Sequence, residues 1–235
     1  VNDAVRKRID RTGSYDRILP LIKKMVEERD GKDYYVRGTF TRKNLDFGTD
    51  VLHLADLGFD QISIEPVVAA KDSGFDIRNE DLKVVFDEYE RLAKEYVDRR
   101  KNGQWFNFFH FMIDLEGGPC IAKRLRGCGS GTEYMAVTPE GELYPCHQFV
   151  GHKEFLLGNV YDGLNGNPIR ESFREANVYT KSQCNSCWAK FYCSGGCAAN
   201  AWQFNKDIKI PYEIGCELEK KRVECALWIK AQESK

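Results

Sequence analysis

The sequence Cys184-Asn-Ser-Cys187-Trp-Ala-Lys-Phe-Tyr-Cys193-Ser-Gly-Gly-Cys197 places four cysteines in one short segment. Their spacing is C-x2-C-x5-C-x3-C, and the whole chain has nine cysteines among its 235 residues. Thiolates held this close together are typical of a metal site. The segment therefore predicts a metal-binding module around which the C-terminal half of the chain folds.

Three more cysteines frame this segment: Cys128 and Cys146 precede it, and Cys216 follows it. A tetrahedral zinc ion would use four of the seven thiols and leave three unused. A disulfide framework is typical of short secreted domains, whereas this sequence is longer, has an odd number of cysteines and carries no signal-peptide pattern. The seven-cysteine set therefore favours iron-sulfur clusters over zinc.

The pattern C-x12-G-x4-C, then C-x2-C-x5-C-x3-C and a final Cys, resembles the SPASM domain, an auxiliary iron-sulfur module of radical AdoMet enzymes. The resemblance implies two auxiliary [4Fe-4S] clusters. The outer cluster would take Cys184, Cys187, Cys193 and Cys216. The inner cluster would take Cys128, Cys146 and Cys197. Gly195 and Gly196 permit the sharp turn that this division needs between Cys193 and Cys197.

The fourth ligand of the inner cluster has two candidates. Cys120 lies just upstream of Cys128, and related enzymes often supply a ligand from there. Alternatively the position stays vacant for a substrate cysteine, and Cys120 is an ordinary thiol beside a Gly117-Gly118-Pro119 turn. Cys225 shares a helical stripe with Leu218, Ala226 and Ile229, which predicts a buried core residue.

Composition narrows the possible partners and compartment. The chain has 35 Lys and Arg against 36 Asp and Glu, a formal net charge of -1. It therefore has no excess of positive charge that would attract nucleic acid. Mean hydropathy is -0.52 and no apolar run reaches the length of a membrane span, which predicts a protein without a membrane segment. Reduced thiols indicate the cytoplasm. Because Val1 opens a charged segment, we expect a fragment whose N-terminal part is missing.

The N-terminal half alternates helices and strands, which predicts a parallel sheet with helical crossovers. Helices are expected at 18–26, 50–57 and from Asn79, the expected N-cap, to about 101; strands are expected at 34–41 and 61–67. One face of the two strands is polar: Arg37, Thr39 and Thr41 on the first, and Gln61, Ser63 and Glu65 on the second. This face predicts the lining of a ligand cavity, and an open sheet with one wet face is the alternative.

The C-terminal half is expected to begin near residues 114–118, which divides the chain into residues 1–113 and 114–235. Just before it, the aromatic run from Trp105 to Phe111 predicts a core strand. Residues 134–137 and 142–145 predict a β-hairpin that carries Cys146 towards Cys128, and residues 155–160 a further strand. Helices are expected at 168–176 and 217–232, the latter directly after Cys216.

The whole chain is similar to the later part of maturases that act on SCIFF peptides. Four stretches carry this likeness: residues 11–16, 36–44, 127–131 and 144–149. It implies an α/β fold in which the last strands and helices of a partial (β/α)6 radical SAM barrel precede a cysteine-rich SPASM domain with a β-hairpin and short helices. Under this likeness residues up to about Gly103 form the last part of the barrel, within the first unit of residues 1–113.

The same likeness implies the chemistry. A deoxyadenosyl radical from AdoMet takes a hydrogen atom from an α-carbon of a Cys-rich precursor peptide, and a cysteine sulfur joins that carbon as a thioether. Forming C–S from C–H and S–H removes two electrons. One leaves with the hydrogen atom, and an auxiliary cluster is a suitable acceptor for the other or a holder of the substrate thiolate. A ferredoxin or flavodoxin would be the low-potential donor.

The AdoMet cluster motif C-x3-C-x2-C is absent, because Asn200 stands where the third thiol should follow Cys197. The third [4Fe-4S] cluster would thus belong to the full-length protein, and this fragment alone should not cleave AdoMet. Arg37, Thr39 and Glu65 are the candidates for contacts with AdoMet or substrate. His147 stands where sulfatase maturases carry an acidic general base, and is a candidate proton relay or an ordinary solvated histidine. No role is assigned to His53, His110 or His152.

Two other functions remain open on the sequence. A sulfatase maturase that oxidises Cys or Ser to formylglycine uses the same module. The presence of His147 instead of an acidic residue at that position argues mildly against this function. A non-catalytic electron-transfer or structural metal module fits the missing AdoMet motif, whereas the polar strand faces favour an enzyme.

Overall fold

The computed structural model describes residues 1–115, 117–118, 120–164 and 166–234. The N-terminal half begins with α1 (Asn2–Val5) and α2 (Tyr15–Glu28). It continues with β1 (Val36–Phe40), α3 (Phe47–Asp56) and β2 (Gln61–Pro66). A 3-10 turn leads into α4 (Leu82–Lys101), and β3 (Asn107–Phe108) ends the half. The predicted alternation of helices and strands is confirmed.

These strands form a parallel sheet in the order β1-β2-β3. In the register, Val36 lies opposite Ile62, Arg37 opposite Ser63 and Thr39 opposite Glu65. Side chains alternate between the two faces of a strand, so the polar residues of β1 and β2 share one face, as predicted. The apolar residues point the other way: Val36, Phe40, Ile62 and Ile64 are all buried.

The main core lies between the apolar face of this sheet and helices α3 and α4. Phe40 and Phe47 are fully buried, and their stacked ring centroids lie 4.4 Å apart. Burial of one such side chain stabilises the fold by about 1.5–3 kcal/mol. Helix α4 presents a continuous apolar stripe at helical spacing: Val85, Tyr89, Leu92, Ala93, Tyr96 and Val97. The stripe explains why α4 continues to its predicted end at about residue 101, although it begins at Leu82, three residues after the predicted N-cap.

Two expectations in this half were wrong. Asn79 does not cap α4: residues Asn79–Asp81 form a 3-10 turn, and the Asp81 side chain accepts a hydrogen bond of 2.9 Å from the backbone N–H of Arg78. The aromatic run is not a continuous strand, because only Asn107–Phe108 pairs with β2, and a 3-10 turn follows at Phe109–Phe111. Trp105 and Phe109 are exposed and Phe106 and Phe108 are buried, whereas His110 and Phe111 within the turn are both buried, so the alternation of a strand ends there.

The C-terminal half contains an antiparallel sheet of β4 (Ala136–Val137), β5 (Glu142–Tyr144) and β6 (Gly158–Asn159). The turn between β4 and β5 places Gly141 at φ +85°, which favours glycine. Short helices follow: α5 (Pro168–Glu175), α6 (Ser182–Asn185), α7 (Lys190–Cys193) and α8 (Ala198–Asn205). A 3-10 turn at Lys153–Phe155 replaces the first part of the strand predicted over residues 155–160.

The last helix, α9 (Glu213–Glu233), joins the two halves. It begins four residues earlier than predicted, shortly after Pro211, so Cys216 lies within its first turn instead of before it. Helix α9 packs along α4, and its apolar residues complete the core of the parallel sheet: Ile214, Leu218, Cys225 and Ile229. The predicted burial of Cys225 is confirmed, since only 4% of it is exposed.

Within the described ranges, the helices are all too short or too polar to pass through a lipid bilayer.

Candidate metal centre

Four cysteines line one cavity of about 410 Å³ in the C-terminal half. We call them the outer group: Cys184, Cys187, Cys193 and Cys216. Cys184 lies in α6, Cys187 in the turn that follows, and Cys193 ends α7. Cys216 comes from the first turn of α9. Two local segments and one distant helix thus converge, and the longer-than-predicted α9 is what carries Cys216 to the cavity.

A sharp backbone turn follows Cys193. Ser194, Gly195 and Gly196 have φ angles of +59°, +85° and +73°, so three consecutive residues are left-handed. This reverses the chain before Cys197, which precedes α8. The two glycines adopt such angles without steric cost, which agrees with the turn expected from the sequence. The turn separates Cys193 in the outer group from Cys197.

A second set of thiols, the inner group, comprises Cys128, Cys146 and Cys197. A Cβ atom added to Gly127 would lie 3.0 Å from the Gly196 carbonyl, so the segment before Cys128 packs on the turn. Cys146 follows β5 and is buried. Burial raises the pKa of Cys146, and the charges of Cys197 and Cys128 raise it further. The structure thus brings these three thiols into electrostatic contact.

Backbone amides offset part of this effect. The N–H groups of Gln148 and Phe149 bond to Cys146, and those of Asn200 and Ala199 bond to Cys197. These hydrogen bonds lower the pKa values of the two thiols and so favour their thiolates. N–H donors at sulfur are among the features that tune metal-thiolate sites.

In the outer group, burial raises the pKa of Cys193 to about 12 and that of Cys216 to about 11. Charges on other thiols of the group act in the same direction: Cys216 and Cys184 on Cys193, and Cys184 and Cys187 on Cys216. Metal binding at these thiols requires release of their protons, and a bound cation would compensate the closely spaced negative charges.

Within the described parts of the chain, no three His, Cys, Asp or Glu side chains are placed to hold one metal ion. A cubic cluster binds each thiolate through a different iron, so its ligands stand farther apart than those of a single tetrahedral ion. The donor set itself, seven thiols in groups of four and three, is of the kind that iron-sulfur clusters use. Cys120 is exposed and precedes a 3-10 turn at Ile121–Arg124; Pro119, in the turn expected beside it, is outside the described residues.

The candidate residues of the sheet lie on its polar face. Arg37 and Thr39 are exposed, and the Glu65 side chain is 27% exposed. Glu65 accepts hydrogen bonds of 2.8 Å from both the Ser63 hydroxyl and His110 Nε2. Although burial acts to raise the pKa of Glu65, these bonds and the Arg222 guanidinium lower it to about 2. Glu65 is therefore an ionised carboxylate at neutral pH.

His110, to which the sequence assigned no role, is fully enclosed beneath Glu65. The Tyr89 hydroxyl lies 2.9 Å from its Nδ1. A carboxylate can only accept, so Nε2 carries the proton and Nδ1 accepts from Tyr89. Burial lowers the pKa of His110, in keeping with a neutral ring. A histidine inside an otherwise aromatic run was the available signal, because a buried imidazole needs partners.

Arg222 on α9 was also missed. Its guanidinium lies 4.0 Å from Glu65 Oε2 and 2.6 Å from Glu219 Oε2. Glu219 lines the cavity of the outer group. The polar face of the sheet is thus connected to the thiol cavity through one arginine and one carboxylate.

His147 is exposed and directly follows Cys146. Its Nδ1 lies 3.3 Å from the Tyr134 hydroxyl and its Nε2 lies 3.2 Å from Gln148 Nε2. These contacts fix the orientation of the imidazole ring next to Cys146 of the inner group. Its role as a proton relay stays a prediction.

Residues 128–188 match the family model SPASM, an iron-sulfur cluster-binding domain. The match begins at Cys128 and includes Cys146, Cys184 and Cys187. The predicted resemblance to the SPASM domain is thereby confirmed over this stretch.

Two curated proteins are similar to part of the chain. The antilisterial bacteriocin subtilosin biosynthesis protein AlbA of Bacillus subtilis is 33% identical over 95 residues, which cover 37% of this chain and 20% of AlbA. An uncharacterized protein of Archaeoglobus fulgidus is 30% identical over 99 residues, which cover 40% of this chain and 23% of that protein. The matches thus span about a fifth of either relative.

Solved structures of anSMEcpe have a similar fold. Native anSMEcpe with bound AdoMet and Cp18Cys peptide superposes with a TM-score of 0.70 at 15% identity, over 96% of this chain and 63% of that one. Native anSMEcpe with bound AdoMet gives a TM-score of 0.68 at 14% identity, over 96% and 63%. The chain therefore has the mixed α/β fold of these structures. The closer likeness to SCIFF maturases stays a prediction.

Proposed function

We propose that this chain is the C-terminal part of a radical AdoMet peptide maturase, and that the whole protein joins a cysteine sulfur to an α-carbon in a ribosomally made Cys-rich peptide. The observation that carries the proposal is the pair of thiol groups: four thiols line one cavity, and three others lie close enough for their charges to act on one another. The SPASM match covers Cys128, Cys146, Cys184 and Cys187 of these two groups. The partial similarity to AlbA, a bacteriocin biosynthesis protein, supports a peptide substrate.

In this proposal residues 114–235 hold two auxiliary [4Fe-4S] clusters, one on the outer group and one on the inner group. When bound, such clusters supply an electron acceptor and iron that can hold a substrate thiolate. The chain's own residues set their surroundings. Backbone N–H groups at Cys146 and Cys197 stabilise the thiolate forms, and Glu219 and Lys220 line the outer cavity.

Residues 1–113 form the last strands and helices of the partial barrel in this proposal. Arg37, Thr39 and Glu65 would face AdoMet or the peptide from the polar side of β1 and β2. The ionised Glu65 would accept hydrogen bonds from a ligand, while Ser63 and His110 fix its orientation. His147, held by Tyr134 and Gln148, would accept the proton of the substrate cysteine thiol.

The rest of the protein would supply the AdoMet site with its third [4Fe-4S] cluster, and a ferredoxin or flavodoxin would supply low-potential electrons. The inner group then needs one more ligand, either Cys120 or a cysteine of the substrate. Cys120→Ala decides between them: unchanged iron content and an unchanged spectrum assign the position to the substrate, and loss of one cluster assigns it to Cys120.

A second function has specific support. The fold agrees with anSMEcpe over 96% of the chain, including a structure with a bound peptide, which favours a maturase that oxidises a cysteine to formylglycine. The two functions differ in their products. A thioether maturase removes two hydrogen atoms from the peptide and leaves no free thiol at the linked cysteine, whereas formylglycine formation replaces the thiol by an aldehyde. Mass spectrometry of peptide treated with the full-length protein separates them.

The first test is metal content after anaerobic purification. We expect about eight iron and eight sulfide per chain, as two [4Fe-4S] clusters require, and little zinc. Cys193→Ala should lose about half of the iron, because Cys193 belongs to the outer group. Cys225→Ala is the matched control. The Cys225 thiol, on α9, is buried in the core next to the parallel sheet, so the iron content of this variant should equal that of the unmodified chain. If the chain contained zinc and no sulfide, the proposal of iron-sulfur clusters would be wrong and the chain would be a structural metal module.

A further inference from the structure

Lys181 is a buried lysine between the two thiol groups. Only 3% of the residue is exposed. It directly precedes α6, and its backbone carbonyl accepts a hydrogen bond of 2.9 Å from the N–H of Cys184. Its Nζ donates a hydrogen bond of 2.8 Å to the carbonyl of Gly195, which lines the outer cavity. The ammonium group thus lies on the turn that separates Cys193 from Cys197.

The titratable groups that surround Lys181 are thiols. The groups that act on it most strongly come from both sets: Cys184, Cys193, Cys197 and Cys216. Among the residues that the structure describes, no Asp or Glu forms an ion pair with Lys181. The packing is close, because a Cβ atom on Gly195 would lie 3.7 Å from Nζ and 3.8 Å from Cδ.

A buried ammonium group without an anion is costly, and buried lysines normally have a paired carboxylate. Burial accordingly lowers the pKa of Lys181. One carbonyl oxygen satisfies one of its three N–H donors. The Lys181 ammonium therefore lacks a neighbouring negative charge while the surrounding thiols are protonated. The thiolates that bind a metal cluster would supply that charge. Net charge near a cluster is also one of the features that set its reduction potential.

We propose that Lys181 is a positioning residue that serves both thiol groups. Its ammonium balances their negative charge and holds the Gly195 carbonyl in the turn between them, and this raises the reduction potentials of both auxiliary clusters. The inference rests on the proposed function, because it requires the clusters. It identifies one side chain that acts on both clusters without binding either.

The test is the midpoint potential of each cluster in the anaerobically reconstituted chain, followed by EPR during titration with an external one-electron reductant. Three substitutions separate charge from hydrogen bonding. Lys181→Arg keeps the charge, Lys181→Gln keeps an N–H donor without charge, and Lys181→Met keeps only the approximate volume. Lys190→Gln is the control, because Lys190 also lines the outer cavity and donates to a carbonyl, that of Asn185, but is partly exposed to screening water.

We expect Lys181→Gln and Lys181→Met to make reduction of both clusters about tenfold less favourable, a shift of about 59 mV to more negative potential for a one-electron couple. Lys181→Arg should stay near the unmodified chain, and Lys190→Gln should shift much less than Lys181→Gln. Iron loss in Lys181→Gln that Lys181→Arg restores would equally support a role for the charge.

Full iron content in Lys181→Gln with unchanged potentials would overturn the inference, and so would iron loss in all three Lys181 variants, which would mean a purely steric role. These outcomes leave the proposed function intact. Absence of iron and sulfide from the unmodified chain would overturn the proposed function itself and the role of Lys181 with it.

Discussion

Replacement of Arg222 by Met should lower the free energy of unfolding by more than the loss of an exposed ion pair would. The Arg222 side chain is 22% exposed and bridges two carboxylates, Glu219 at 2.6 Å and Glu65 at 4.0 Å. Arg222 and Glu219 both lie on α9, whereas Glu65 lies on β2, so the Arg222–Glu65 pair links α9 to the sheet. Methionine keeps most of the apolar stem and removes only the charge.

The expected cost follows from these distances and exposures. Two unit charges 4 Å apart attract by about 4 kcal/mol at an effective dielectric constant of 20. Desolvation of the guanidinium offsets much of this attraction, but removing one partner leaves the other charge buried, which typically costs about 3–5 kcal/mol. Since Arg222 retains some solvent contact, we expect a loss of about 3 kcal/mol.

The assay is urea unfolding at pH 7 of anaerobically purified chains with equal iron content, compared at their midpoints with a common slope. Arg174→Met is the matched control. Arg174 also pairs with a carboxylate three residues away, Glu171 at 2.9 Å, but the two side chains are 52% and 53% exposed, so the loss should be below about 1 kcal/mol. The double variant Arg222→Met, Glu219→Gln should recover about 1–2 kcal/mol, because it removes one stranded carboxylate.

The pH dependence has a definite sign. Burial raises the pKa of Glu219, and Arg222 acts against that rise. Without Arg222 the pKa of Glu219 should rise further, and a raised folded-state pKa gives stability that is present at low pH and lost as pH increases. The deficit of Arg222→Met should therefore be largest near neutral pH and shrink towards pH 5. Equal losses for Arg222→Met and Arg174→Met, or a deficit that grows on acidification, would refute the reasoning.

Glu65→Gln should be destabilised by about 2–3 kcal/mol at pH 7, because Glu65 has a pKa of about 2 against an ordinary 4.5; the deficit should disappear as pH falls through that interval, as urea midpoints would show. Tyr89→Phe should cost about 1–3 kcal/mol, since it leaves His110 Nδ1 unsatisfied, whereas Tyr35→Phe, whose residue is 40% exposed, should cost under about 0.5 kcal/mol in the same assay. Gly141→Ala should lower thermal stability more than Gly151→Ala. Both positions have φ near +85°, but an added Cβ lies 2.8 Å from Val160 Cγ2 at the first and meets nothing within 4 Å at the second. Equal losses would mean that the contact relaxes freely.

Sequence patterns sufficed where the determinant was local. The alternation of β1 and β2 predicted both their burial and their shared polar face, and the glycines after Cys193 predicted the left-handed turn. Patterns failed at the 3-10 turn of Phe109–Phe111, which depends on how the end of β3 meets the core. The partners of Glu65 could not be predicted either, because His110 and Arg222 lie 45 and 157 residues away and no spacing rule joins them.

Helix α9 explains how the two halves act as one unit. Cys216, Glu219 and Arg222 follow one another at intervals of three residues, so they form a row that winds about 120° around the helix, from the thiol cavity to Glu65. Other residues of α9 are buried in the core where the helix packs on α4: Leu218, Cys225 and Ile229. Because the same rigid helix carries a thiol of the outer group and the cation that orients Glu65, a displacement at the cavity must change the position of that cation. The proposed cluster site and the polar face of the sheet are therefore connected through α9, and the Arg222 variants test how much the ion pairs on that connection contribute to the stability of the fold.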